Sequence, residues 1–174
     1  GVCVTGTNST FRISDGIITG NTANVLGGGV SVEGGSFEMK GAAAVSGNTA
    51  TVCGGGVCLY GAEAEFTMGG TAKITENETL GMGGGVYICE SGTVTMSGTA
   101  NIVGNSAVHN GGGVTVWDGT FTMNNSASIT GNNAPKSGGG VYVAENGTFT
   151  MNNSASITGN SANDGAGVCS DGEF

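Results

Sequence analysis

The chain has 174 residues, of which 37 are glycine and one is proline, and its 13 acidic side chains outnumber its four basic ones to give a net charge of −9. One proline is too few for a collagen triple helix. The basic residues Arg12, Lys40, Lys73 and Lys136 are far apart, whereas binding to phosphates needs clustered basic side chains. We therefore expect neither a nucleic acid nor an anionic membrane as partner. No apolar run approaches the roughly 18 residues of a membrane span, so we expect no such span here.

The whole chain is a repeat. Residues 121–132, FTMNNSASITGN, recur word for word at 149–160. A valine follows each glycine run, and these valines are Val2, Val30, Val57, Val86, Val114, Val141 and Val168. Their spacing gives a period of 27–29 residues, with six units and the start of a seventh. A constant period in this range is typical of solenoid proteins.

Each unit contains three short segments with alternating apolar residues. In chain order they read V-x-V, as at 114–116, then F-x-M, as at 121–123, then A-x-I, as at 127–129. Alternation with Val, Ile, Phe and Thr indicates half-buried strands, and the intervening Gly, Asn and Ser favour turns. No helical periodicity competes with this pattern, so we expect almost no helix.

Equivalent short strands at constant period predict a parallel β-helix, in which each strand pairs with its equivalent about 4.8 Å along the axis. The crossover rule favours a right-handed coil. The predicted fold is an all-β, right-handed parallel β-helix of about six coils, with three short strands per coil. We interpret residues 1–174 as a single repeat domain and as a fragment of a longer surface protein.

Stacked coils turn each repeat position into a column. The predicted inward columns are Phe11, Phe37, Phe66, Val94, Phe121 and Phe149; Ile13, Met39, Met68, Met96, Met123 and Met151; and Ile18, Val45, Ile74, Ile102, Ile129 and Ile157. A column of asparagines, Asn21, Asn48, Asn77, Asn105, Asn132 and Asn160, is in register in all six units. A side-chain amide can both donate and accept, so this column is predicted to form a ladder that satisfies turn backbone groups.

The repeated GGGV with a downstream I-x-x-N resembles the GGA[ILV] and FxxN repeats of chlamydial polymorphic outer-membrane proteins, and is similar more broadly to adhesin-like β-helix proteins of bacterial surfaces. Here the runs read Gly-Gly-Gly where the motif has Gly-Gly-Ala, except for Gly165-Ala166-Gly167, and Ile or Val replaces the Phe of the motif. The resemblance implies a passenger or stalk of a secreted or cell-surface protein, and hence an extracellular location.

The five cysteines are Cys3, Cys53, Cys58, Cys89 and Cys169. Cys53 and Cys58 flank one glycine turn, so their spacing allows a disulfide; isolated thiols are the alternative. An odd number of cysteines leaves at least one thiol free within the chain. The only histidine, His109, belongs to a different turn, so no metal site is predicted.

Two other functions are open to a β-helix. A polysaccharide lyase or hydrolase needs facing carboxylates or a basic cluster, and the only outward pair of note is Glu38 with Glu65. Ice binding through stacked threonines is the second alternative. Its outward ranks are Thr67, Thr95, Thr122 and Thr150, beside Thr93, Thr120 and Thr148. We expect no catalysis and no cofactor.

Aromatic residues collect after the marker valine, on the outward face of the first strand. The predicted ligand-binding residues are Tyr60, Tyr87, Trp117 and Tyr142, edged by Glu90, Asp118 and Glu145. Aromatic faces stack on sugars and anchor protein interfaces. We therefore expect a structural, adhesive segment whose partner is a glycan or a host or cell-surface protein. Because bare parallel edges invite pairing, we also expect end-to-end self-association.

Overall fold

The computed structural model describes residues 1–171 as a parallel β-solenoid of about six coils, without helix, which confirms the predicted all-β repeat fold. We number the coils from their marker valines, so that coil one begins at Val2, coil five at Val114 and coil six at Val141. The hand of the coil stays a prediction from the crossover rule.

The strands fall into equivalent sets. First strands are β1 Val2–Thr5, β5 Val30–Glu33, β9 Val57–Tyr60, β13 Val86–Ile88 and β21 Val168–Ser170; second strands are β2 Thr10–Ser14, β6 Ser36–Lys40, β10 Glu65–Met68 and β14 Gly92–Met96. In coils five and six the first and second strands are continuous, as β17 Val114–Met123 and β19 Val141–Met151. Third strands are β3 Ile17–Thr19, β7 Ala44–Ser46, β11 Lys73–Thr75, β15 Asn101–Val103, β18 Ser128–Thr130 and β20 Ser156–Thr158.

Coils one to four also contain a fourth, two-residue strand that the three-segment pattern does not predict. These strands are β4 Thr22–Ala23, β8 Thr49–Ala50, β12 Glu78–Thr79 and β16 Ser106–Ala107. They form a four-stranded parallel sheet of their own. The first and second strands together form one eleven-stranded sheet, and the third strands form a six-stranded sheet.

Strand pairing places equivalent residues one above another. Phe66 pairs with Phe37 below and Val94 above, and Phe121 pairs with Phe149. The stacked rings of Phe37 and Phe66 have centroids 4.8 Å apart. Phe37, Phe66 and Phe121 are fully buried, whereas Phe11 and Phe149 at the two ends are half-buried. The inward columns are therefore those the sequence predicts, except that Met151 in the last coil is 40% exposed.

The asparagine column forms the predicted ladder of hydrogen bonds. Asn105 Oδ1 accepts from both the backbone N and the Nδ2 of Asn77, each at 2.9 Å. Asn105 Nδ2 in turn donates to Asn132 Oδ1 and to the carbonyl oxygen of Ile74, both at 3.0 Å. In coils two to five the buried turn is thus hydrogen-bonded to the coils on both sides of it.

The glycine runs lie where coils come closest together. Gly111 has a left-handed φ of 64°, a conformation that glycine adopts without steric cost. At Gly112 and Gly113 a Cβ would collide with the carbonyl oxygens of Asn133 and Gly140 in the next coil. The repeated glycines therefore permit close backbone approach at this turn.

Candidate functional site

The corner between the first and second strands changes along the solenoid. In coil four the chain leaves β13, turns through Glu90 and Ser91 with positive φ of 53° and 66°, and enters β14. In coils five and six the strand continues through the same region. There the register shifts between Val116, which pairs with Val143, and Asp118, which pairs with Asn146. Strand β19 thus carries one extra residue between Val143 and Asn146, which is a β-bulge.

Trp117 of β17 lies opposite the two bulged residues of β19, Ala144 and Glu145, and is 45% exposed. Bulges bend a strand and redirect its side chains, and they are common beside functional sites. Next to Trp117 is a groove of about 300 Å³, lined by Trp117, Tyr142, Ala144, Glu145, Asn146 and Asp171. The indole ring therefore lies at the edge of a concave surface, next to the bulge.

Tyr142 forms a fixed wall of the groove. It is 7% exposed, and its hydroxyl donates a hydrogen bond to the carboxylate of Asp171 in the next coil. Burial, and then the hydrogen bond and negative charge of Asp171, raise the pKa of Tyr142 to about 12. The phenol consequently remains neutral at physiological pH and holds Asp171 beside the groove.

The whole corner is acidic. Seven carboxylates lie at or next to it along the solenoid, namely Glu33, Glu63, Glu65, Glu90, Asp118, Glu145 and Asp171. The four basic residues belong instead to β2, β6, β11 and the turn before β19. These negative charges also act on Cys89. Burial first, and then charges that include Glu90 and Asp118, raise the pKa of Cys89 to about 11.

The structure brings only some of the predicted aromatic residues together. Trp117, Tyr142 and Glu145 share the groove. Tyr60 is half-buried and donates its hydroxyl to Glu33 at 3.1 Å, and Tyr87 is 8% exposed. Because Tyr87 and Tyr142 are buried, the predicted placement of all four aromatic residues on an exposed outward face is wrong. Glu90 and Asp118 occupy the corner without lining the groove, and the ligand-binding role of all seven residues stays a prediction.

Two polar groove residues, Asn146 and Asp171, were not predicted from the sequence, and neither was Ala144. Asp171 belongs to the following coil and lies beside the groove, where it accepts the hydrogen bond of Tyr142. Asn146 comes directly after the register shift and pairs with Asp118. Neither relation follows from the repeat pattern. One sequence feature could have pointed to Asp171. It occupies, three residues after Val168, the same repeat position that Trp117 occupies after Val114.

Three of the cysteines, Cys53, Cys58 and Cys89, lie in a separate cluster, without the disulfide that the spacing of Cys53 and Cys58 allows. All five are free thiols. Cys53 and Cys58 pack with Tyr87, and Leu26, Tyr60, Met82 and Cys89 surround them. Burial is the main cause that raises the pKa of Cys53 and of Cys58, which makes these thiols poor nucleophiles. Within residues 1–171, no three His, Cys, Asp or Glu side chains converge on a common metal-binding position.

The carboxylates considered for hydrolysis are not arranged as a catalytic pair. Glu38 forms ion pairs with Arg12 and Lys40. The hydrogen bond from Lys40, followed by that from Arg12, lowers the pKa of Glu38, whereas a general acid requires a raised one. Glu65 pairs in register with Ser36 and not with Glu38.

The threonine ranks lie on the outward face of the second strands. Thr95 pairs with Thr67 and Thr122, and Thr122 pairs with Thr150. In coils one and two this face carries Arg12, Glu38 and Lys40 instead. The uncharged threonine array therefore covers only part of the solenoid.

An exposed apolar ridge was not predicted. Val25, Val52, Leu80 and Val108 follow the short fourth strand in coils one to four, and each is about half exposed. The sequence does mark this ridge. Each of its residues comes one or two positions after the Ala or Thr of an N-x-A or N-x-T motif.

Comparison with known proteins gives no relative: no family model, no curated protein and no solved structure matches this chain. Residues 1–171 include no helix with the length and apolar character needed to cross a bilayer.

Proposed function

We propose that this chain is a non-catalytic spacer of an extracellular, adhesin-like bacterial protein, and that it recognises a partner at the bulged corner of coils five and six. The single observation that carries the recognition part is Trp117, which is 45% exposed beside a groove. A large aromatic side chain in contact with water contributes little to folding, but exposed Trp and Tyr residues dominate the energy of many interfaces.

The surface-protein assignment is supported by the repeats. The GGGV and I-x-x-N motifs are similar to those of chlamydial polymorphic outer-membrane proteins and of adhesin-like passengers. The uniform coils suit a rigid spacer because each coil contacts only its neighbours and the array extends along one axis.

Absence of catalysis is supported by the chemistry of Glu38. Its carboxylate is ion-paired with Arg12 and Lys40, and its pKa is lowered. A glycosidase instead keeps one carboxyl group protonated beside a second carboxylate. The segments that join the strands are also short.

The test is a binding screen against arrays of purified glycans and surface proteins, run beside assays for reducing-end and unsaturated-sugar release. We expect at least one partner and no turnover. Trp117→Ala should weaken binding by about 1 kcal/mol or more. Val108→Ala, which truncates an exposed side chain on the apolar ridge, is the matched control and should have no effect. Release of sugar from any polysaccharide, or unchanged binding in Trp117→Ala, would overturn the proposal.

A further inference from the structure

We propose that the groove beside Trp117 binds a basic protein segment, with a lysine ammonium or arginine guanidinium placed against the indole ring. This inference rests on the proposed function, because it assumes that the groove is a recognition site. It adds the chemical class of the partner, which is a surface-exposed peptide with several basic side chains.

The indole ring is suited to a cation. Trp is the aromatic side chain that attracts cations most strongly, through the negative electrostatic potential of its face. Trp117 is exposed and lies at the edge of the groove, and Tyr142 forms the adjacent buried wall. A long basic side chain can therefore lie along the groove with its charged end near the ring.

Carboxylates complete the cation site. Glu145 and Asp171 line the groove itself, and Asp118 and Glu90 continue the acidic corner in the preceding coils. Both ion pairs among residues 1–171 use Glu38, on the second strand. Within residues 1–171 the corner carboxylates therefore have no ion-pair partner, and Asp171 accepts only the neutral hydrogen bond of Tyr142, so a partner can supply the cation.

The spacing of these carboxylates favours a peptide over a small amine. Glu90, Asp118, Glu145 and Asp171 come from four successive coils. At about 4.8 Å per coil they extend over about 14 Å along the axis. A single ammonium ion would meet one part of this row, whereas a segment with several Lys or Arg residues can meet all of it.

The negative charge of the corner also disfavours other partners for the groove. A polyanion would be repelled. A second copy of the chain, with a net charge of −9, would bring its own acidic corner against this one. A neutral sugar could stack on Trp117 but would leave the row of carboxylates without a counter-charge.

The experiment uses the fluorescence of Trp117, the only tryptophan in the chain. The intact protein is titrated with a six-residue lysine peptide, with the same peptide acetylated on every lysine, with a neutral cellulose hexasaccharide and with a chitosan hexamer. We expect saturable change of the emission with the lysine peptide alone. The affinity should fall as salt rises from about 50 to about 200 mM, because the contacts are screened.

Charge-neutral variants separate the groove from general attraction to an acidic protein. Glu145→Gln and Asp118→Asn should each weaken lysine-peptide binding about threefold, in the range of exposed charge pairs. Glu78→Gln removes the same charge on the short fourth strand and should leave the affinity unchanged. Equal weakening in all three variants would mean non-specific attraction and would overturn the inference.

The remaining outcomes distinguish this inference from the proposed function. Equal binding of the acetylated peptide, or binding of the hexasaccharide or the chitosan hexamer without the lysine peptide, overturns the inference and leaves the recognition role standing. No response to any probe, with circular dichroism unchanged from that of the folded protein, also overturns the inference. The proposed function fails on a different result, which is the array screen with Trp117→Ala.

Discussion

The same corner is built in two ways in this molecule. In coils one to four the first and second strands are separate, and a turn joins them. In coils five and six one continuous strand passes through the corner of each coil, and in coil six that strand has a bulge between Val143 and Asn146, opposite Trp117. The inward columns are the same in both regions. The interior therefore determines the coil, while the outward corner is free to vary and can carry a site.

One strand shows both behaviours. In β17, Phe121 is fully buried and stacked on Phe149, whereas Trp117, four residues earlier, is 45% exposed. In the other coils the position of Phe121 is always Phe or Val, and the position of Trp117 holds residues as different as Thr5 and Cys89. Substitutions at these two positions should accordingly act on different properties.

The largest effect is expected for Phe121→Ala. The ring is fully buried, with its centroid 5.2 Å from that of Phe149, and its removal leaves a cavity between coils five and six. The free energy of unfolding should fall by about 3–5 kcal/mol. Urea denaturation followed by circular dichroism measures this. A loss below about 1 kcal/mol would contradict the inward assignment of the phenylalanine column.

A smaller loss is expected for Asn105→Ala. The substitution leaves the buried backbone N–H of Asn77 and the carbonyl of Ile74 without their partners. Each orphaned group costs about 1–3 kcal/mol, so we expect a loss of about 2–4 kcal/mol in urea denaturation. Asn24→Ala, at an exposed position, should change stability by less than about 0.5 kcal/mol. Equal losses of stability in the two variants would contradict a stabilising role for the asparagine ladder.

Alkaline pH should lower the free energy of unfolding through Cys89 and Tyr142. Burial raises the pKa of Cys89 from 9.0 to about 11 and is the largest cause that raises the pKa of Tyr142 from 10.0 to about 12. The folded state thus keeps protons that the unfolded chain loses. This stabilisation is complete below about pH 9 and is lost as the pH rises through 11–12. Urea midpoints should be similar at pH 7 and pH 9 and lower at pH 11, with a smaller fall in Tyr142→Phe. A constant midpoint up to pH 11 would contradict the burial.

The smallest change in stability is expected for deletion of Glu145, which removes the extra residue of coil six. The corner is exposed, so the free energy of unfolding should change by about 1 kcal/mol or less. The emission of Trp117 should shift because its groove is lost, and partner binding should disappear. Glu145→Ala keeps the bulge and is the control for the emission. Identical emission in the deletion and the substitution would show that the bulge does not position Trp117.

The repeat could be predicted because stacked coils impose one pattern on every unit. Phe37, Phe66 and Phe121 occupy one column for a physical reason, since each must fill the same interior space. The bulge could not be predicted in this way. The marker valine and the column residue are eight positions apart in coil four (Val86 to Val94) and also in coil six (Val141 to Phe149). One interval forms a turn and the other a continuous strand.

The candidate site was predictable in its residue types but not in its geometry. The first-strand pattern identified Trp117 and Tyr142, because aromatics at outward positions are visible in the sequence. The burial of Tyr87 was not visible, because Cys53 and Cys58 come from a neighbouring coil and cover it. The two-residue strand Ser106–Ala107 is too short to show any period.

The accessibility of Trp117 to charged quenchers tests the central claim most directly, because it reports both exposure and the sign of the local field. Fluorescence quenching by caesium and by iodide is measured on the folded protein and normalised to free N-acetyltryptophanamide. The exposed indole at an acidic corner predicts clear quenching by caesium and weaker relative quenching by iodide, with the difference reduced in Glu145→Gln. Resistance to both ions, or stronger relative quenching by iodide, would contradict the account.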